Sequence, residues 1–309
     1  MTVLTGLAER RWFLVAVLFA LGLGWGLTQP LGKIATGDGH MPFGLIFWQL
    51  VICSLVLGAI TLPRGRGLVF TSAALRFYLV VAALGTLIPN ATFYLSVARL
   101  PSGVMSMLIS AVPMIAFPIA LMLGMERFGW GRLAGLLLGL VAVALLAAPG
   151  AALPDPAMVA FLPVALVGPL CYALEGLFVA RYGTAGMDPV QAMFGASVTG
   201  MVLCLPVALA TGQFFDPFAD FGQAEMALVG SSALHAVIYA AYVWLAFRAG
   251  AVFASQCSYI VTGAGIFWAM LILGERFSPV LWLSLVLLLS GVALVSPRRR
   301  AGADEVPAH

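Results

Sequence analysis

Charge is what this chain has least of. Only 9% of its 309 residues are Asp, Glu, Lys or Arg, whereas 62% are hydrophobic and the mean hydropathy is +1.08. A soluble domain of that composition could not cover its own surface, so soluble classes are excluded and the solvent is lipid. The cysteines Cys53, Cys171, Cys204 and Cys257 lie within apolar runs. They have neither the paired spacing of a metal site nor the watery setting of a disulfide, and read as small packing residues. No Gly-x-x-x-x-Gly-Lys-Ser/Thr loop is present, so the chain has no nucleotide-driven motor of its own. His-Glu-x-x-His, Gly-x-Ser-x-Gly and paired intramembrane acids are missing too, which argues against an intramembrane enzyme. No ring of like charges or filter-like loop suggests a channel. Neither a cofactor nor a metal is expected, and nucleic acid is not an expected partner.

What is present is a succession of continuous apolar runs, each about 20 residues long, the length a helix needs to cross hydrocarbon. In lipid every backbone polar group needs an internal partner, and continuous rather than alternating apolarity selects helices over a barrel. Ten spans are predicted, at 13–33, 43–62, 75–98, 102–123, 131–148, 158–180, 190–210, 226–247, 251–273 and 279–296. The connections carry Gly, Pro and Asp, as in "TLPRGRGL" and "TGQFFDPFADFGQ". Arg10 and Arg11 before the first run resemble a signal peptide, but that run is too long and lacks a small-residue cleavage site, so it reads as a retained span.

The cations set an orientation. With the N-terminus in the cytoplasm, twelve lie inside: Arg10, Arg11, Arg64, Arg66, Arg76, Arg127, Arg132, Arg181, Arg248, Arg298, Arg299 and Arg300. Three lie outside: Lys33, Arg99 and Arg276. The positive-inside rule therefore puts both termini in the cytoplasm of a cell membrane, of the bacterial inner-membrane type.

Residues 99–148 laid over 248–297 bring Arg99 onto Arg248 and Glu126-Arg127-Phe128 onto Glu275-Arg276-Phe277. Val143, Ala144 and Leu145 fall on Val292, Ala293 and Leu294. Charge is so sparse that three charged matches in one register indicate a duplication. Each copy holds five spans, an odd number, so the second enters the membrane inverted. The predicted fold is all-α, ten transmembrane helices in two inverted repeats, 1–150 and 151–297, with a cytoplasmic tail at 298–309. Inverted repeats of this kind place a transport site near the midplane, between the halves.

The two five-span halves, the "LMLGMERF" and "LILGERF" turns, the "GWGLTQPLGKIA" end of span one and the "FYLSVARLPSGVMSMLISAVPMIAFPIALMLGMERF" stretch resemble the drug/metabolite transporter superfamily, EamA type. The likeness covers essentially the whole chain. It implies transport of small metabolites or amino acids, often export. Many members have an Arg in the second span where this chain has Gln49, so no charged substrate contact is expected there.

Polar residues within spans are costly and mark the candidate site. On span one, Trp25, Thr28 and Gln29 share a face, followed by Pro30, which leaves a carbonyl unbonded. Asn90 follows Pro89 on span three, with Tyr94 one turn on. His235, Tyr239 and Tyr242 form a stripe on span eight, and Asn90 aligns with Tyr239 in the repeat. Ser110 near Pro113, and Gln256 and Tyr259 near Gly263 and Gly265, mark spans four and nine as helices that bend or break. Tyr172 and Gln49 complete the substrate-binding candidates. Glu175 on span six is the one acid predicted within a span, and a carboxyl there suits a proton carrier, with His235 as a second candidate. Gly131, Gly135 and Gly139 suggest close helix packing, within a monomer or across a homodimer. Two pairs, Arg99 with Glu275 and Arg248 with Glu126, are candidate gates; the simpler reading is that each Glu favours a helix start, with Ser278 and Pro279 as cap and first turn.

The expected function is secondary transport, by alternating access, of a small neutral or zwitterionic solute such as an amino acid. The rivals are a non-transporting receptor or scaffold and an intramembrane enzyme.

Overall fold

A computed structural model describes residues 11–148, 153–249 and 257–295. These residues form helices and turns, with no strand among them. We label the helices α1 (Arg11–Ala35), α2 (Pro42–Thr61), α3 (Ser72–Val97), α4 (Ser102–Met122), α5 (Trp130–Ala147), α6 (Leu162–Tyr182), α7 (Pro189–Ala210), α8 (Gln223–Ala249), α9 (Cys257–Leu273) and α10 (Pro279–Val295). Seven are long and apolar enough to cross a membrane; α5, α9 and α10 contain shorter apolar helices, Trp130–Leu146, Cys257–Leu273 and Pro279–Leu294. The outward faces carry large apolar side chains such as Leu55, Met122, Val202 and Leu271, as lipid contact requires.

Prolines account for the local irregularities. Pro89 supplies no N–H to the Gly85 carbonyl one turn back and would crowd it. The chain widens there into a π-helix, Ala82–Leu87, between the α-helical stretches Ser72–Val81 and Ile88–Val97. Pro113 likewise leaves the Ile109 carbonyl unmatched, and α4 is interrupted after Ser102–Ile109, resuming at Val112–Met122. The expected break in span four is therefore present. Its partner α9 runs unbroken over Cys257–Leu273, across Gly263 and Gly265.

Packing follows one rule applied twice. Helix α1 packs against α8 and α9, and its repeat equivalent α6 packs against α3 and α4. The α2–α8 contact is matched by α7–α3, while α2–α7, α4–α9 and α5–α10 join each helix to its own equivalent. Two of these crossings bring backbones together through glycine. A Cβ on Gly26 would lie 2.7 Å from the Gly265 nitrogen, and one on Gly291 would lie 2.5 Å from the Gly135 carbonyl oxygen. Gly135 and Gly139 thus serve α5–α10 packing within the chain, whereas Gly131 faces open space. The four cysteines are buried and unbridged.

The turns sort to two ends. At one end the Phe43 amide donates to Gln213 Oε1 at 2.9 Å, Trp48 Nε1 donates to the Phe215 carbonyl at 2.9 Å, and the His40 ring stacks on Phe215 at 3.9 Å. These contacts join the α1–α2 turn to the α7–α8 turn. At the other, Arg66 pairs with Asp188 at 3.3 Å and Gln191 donates to the Gly67 carbonyl at 2.6 Å, joining the α2–α3 turn to α6–α7. Alternate turns at alternate ends are what a chain threading back and forth produces.

Candidate functional site

Two polar clusters lie at repeat-related contacts. The first joins α2, α3 and α6. Gln49 Oε1 accepts from Asn90 Nδ2 at 3.1 Å and from the Tyr94 hydroxyl at 3.1 Å, and the Tyr172 hydroxyl donates to Asn90 Oδ1 at 3.5 Å. A cluster that pairs its own donors and acceptors holds its side chains in register. Tyr94 is only 4% exposed, so its hydroxyl needs this partner.

The second cluster joins α1 and α8. Trp25 packs its ring near His235, Tyr239 and Tyr242, with centroids 6.2, 6.2 and 5.2 Å away. Its Nε1–H donates to His235 Nδ1 at 3.2 Å. That bond requires an unprotonated Nδ1, so the neutral ring carries its proton on Nε2. The stripe expected on α8 is therefore real as geometry, and its aromatic cap comes from the other half.

Glu175 lies between these groups on α6. A Cβ on Gly85 would sit 2.6 Å from its Oε1 and 2.9 Å from its Oε2, so the carboxyl occupies the space that the π-helix and a glycine leave open. It is within electrostatic range of Tyr172 in the first cluster and Tyr239 in the second. Among the described residues it makes no ion pair.

The other predicted residues fall outside these clusters. Thr28 returns its hydroxyl to the Trp25 carbonyl at 2.7 Å, and Ser110 does the same to Met107 at 2.7 Å at the α4 interruption. Gln29 is buried, 7% exposed, and its Oε1 has no hydrogen-bond partner among the described residues. Tyr259 packs against the core between the halves. Gln256 lies outside the described residues, as does the Arg248 side chain.

Glu275 has partners other than the Arg99 expected for it, while the expected Arg248–Glu126 pair falls on a side chain outside the described residues. Glu275 accepts from the Ser102 amide at 2.8 Å and the Gly103 amide at 3.1 Å, at the start of α4, and pairs with Lys33 at 3.4 Å. Lys33 also donates to the Leu100 carbonyl at 2.8 Å. Arg99 is exposed at the surface. Glu126 pairs with Arg132 of its own half at 2.6 Å. Each Glu was expected to favour the helix that follows it; Glu275 instead caps a helix of the other half, while Ser278 Oγ accepts from the Leu281 amide at 3.3 Å and caps α10. Lys33 was visible as a lone outer lysine, but no sequence spacing connects 33, 102 and 275. A buried second acid was also missed: Glu225, in the first turn of α8, lies 2.5 Å from His40 Nε2 and accepts from the Gly222 amide. With Asp38 these two bring ligand atoms within 4.8 Å of one another, a set of metal-ligating types. His40 and Glu225 already satisfy each other and staple the α1–α2 turn to α8.

A helical membrane bundle whose two halves pack by one rule, with uncharged polar clusters at their contacts, has the build of a transporter. The EamA-like transporter family matches the chain twice, over residues 12–148 and 160–296, and the chain belongs to that family. Among solved structures, one titled only "Crystal structure of protein" shares the fold at 18% identity and a TM-score of 0.57, covering 92% of this chain and 97% of its own. Comparison with curated proteins finds no match.

Proposed function

We propose that the chain is a secondary transporter that moves a small neutral or zwitterionic solute, such as an amino acid or related metabolite, outward across a bacterial-type inner membrane. Ten spans in two inverted halves, with both termini cytoplasmic, alternate access to a site between the Gln49–Asn90–Tyr94–Tyr172 and Trp25–His235–Tyr239–Tyr242 clusters. The observation that carries this reading is the chemistry of those clusters: amides, phenols, an indole and a neutral imidazole, with no Lys or Arg. Such a lining favours neutral polar groups and aromatic or apolar side chains over phosphate esters, which need fixed cations. Glu175 supplies one carboxyl near both clusters, suited to an amino group or to a coupled proton.

A counterflow screen in proteoliposomes across amino acids, nucleosides, cationic drugs and sugar phosphates tests the reading. Exchange of a neutral or zwitterionic solute supports it. Exchange confined to phosphorylated or polyanionic solutes refutes the site, and no exchange by folded protein favours a receptor or scaffold.

A further inference from the structure

The two Glu-Arg-Phe turns are built alike, and the second is seen docked on the other half. Both leave their helix through a left-handed glycine, Gly124 at φ 68° and Gly274 at φ 65°. The turn at 275–277 is docked on the other half. Glu275 holds the first two amides of α4, Lys33 ties it to α1, and the Phe277 ring lies on Gly103, close enough that a Cβ there would collide with it. For the turn at 126–128 only contacts within its own half are seen among the described residues, and the equivalents of Ser102 and Gly103, at 251 and 252, lie outside them. Glu126 meets Arg132 of its own half, and Phe128 is 53% exposed, with its ring edge to face with Trp130.

Among the described residues four buried side-chain polar atoms have no hydrogen-bond partner; Ser54 Oγ is on α2, and the other three lie within one helical turn of a residue that the docked turn contacts or ties down. Ser102 Oγ belongs to the residue whose amide Glu275 holds. Ser96 Oγ belongs to the residue whose carbonyl receives the Leu100 amide, and Gln29 Oε1 lies one turn of α1 from Lys33. Unpartnered polar atoms are tolerated where water is shut out and are satisfied when water enters.

We propose that the 275–277 turn is a latch: docked, it closes the protein at the end carrying Lys33, Leu100 and Glu275, and its release opens that end. This rests on the alternating-access reading above, in whose orientation the latched end faces outward. The latch works because a carboxylate on two helix-start amides and an ammonium makes charge-assisted bonds across three elements at once. Losing the charge removes the ion pair and weakens both amide bonds at the same time, so one change loosens all three elements.

The test reads accessibility rather than flux. In a background with the four native cysteines replaced, a single reporter, Gln29→Cys or in a second series Ser96→Cys, is labelled by an impermeant maleimide applied from the Glu275 side of sided proteoliposomes, without solute. Glu275→Gln is expected to raise the labelling rate about tenfold and Lys33→Gln to raise it less, while Glu126→Gln leaves it unchanged. Unchanged labelling in Glu275→Gln, with a parent-like size-exclusion profile, overturns the latch. An equal rise in Glu126→Gln overturns it too, because loosening would then be general. If the labelling shift appears where no solute is carried, the latch stands and the transport reading falls. If solute is carried and the shift is absent, transport stands and the latch falls.

Discussion

The α3–α6 and α8–α1 contacts occupy equivalent places in the two halves and contain different chemistry. The first is a hydrogen-bonded set of amides and phenols; the second is an aromatic group joined by a single indole–imidazole bond. The packing rule was kept after duplication while the side chains at the contacts diverged. Backbone crossings tolerate little change, since a Cβ at Gly26 meets Gly265 at once. Polar groups are free to specialise where they can satisfy one another. In the proposed transport reading, this asymmetry would let one end of a solute meet hydrogen-bonding groups and the other meet aromatic rings.

The largest expected effect separates Glu175 from both clusters. If the carboxyl carries a proton, acceleration of transport by a pH gradient is lost entirely in Glu175→Gln, measured as solute flux with and without the gradient. Gly85→Ala acts in the same direction while keeping the carboxyl, because the new methyl would take its space. A full pH response in both variants removes Glu175 from coupling.

Next is the hydrogen-bonded half-site. Asn90→Ala leaves Gln49 and Tyr172 short of a partner and is expected to lower kcat/KM about ten- to hundredfold, while Trp25→Phe, which keeps a ring and removes one donor, lowers it only a few-fold, about 1 kcal/mol. The reverse ranking would mean that the aromatic half-site dominates recognition. A smaller effect, on stability alone, contrasts two glycines. Gly26→Val costs about 1–3 kcal/mol by overpacking, seen as a lower Tm in detergent. Gly131→Ala, facing open space, stays within about 0.5 kcal/mol of the parent.

Much of this was legible in the sequence, for physical reasons. Continuous apolar runs can only be helices in lipid, and the matched Arg and Glu positions revealed the duplication because charge is so rare. The α8 stripe of His235, Tyr239 and Tyr242 followed from helical spacing. What escaped was contact between elements. That Gln49 bonds Asn90, that Trp25 caps the α8 stripe, and that Glu275 reaches Lys33 and the start of α4 rather than Arg99 depend on how helices cross, which periodicity within one helix does not encode. The space for Glu175 was equally hidden. It arises where Pro89 forces a π-helix at Gly85, and neither residue is near 175 in the chain.

The central claim is that two unlike half-sites bind one small uncharged or zwitterionic solute between the halves. The most direct measurement is counterflow of a labelled solute found in the screen, comparing the parent with Asn90→Ala and with Tyr239→Phe in separately reconstituted, folded protein. The account predicts that both variants raise KM for the same solute, one from each side of the site. A KM that moves in one variant and is unchanged in the other would contradict a shared site.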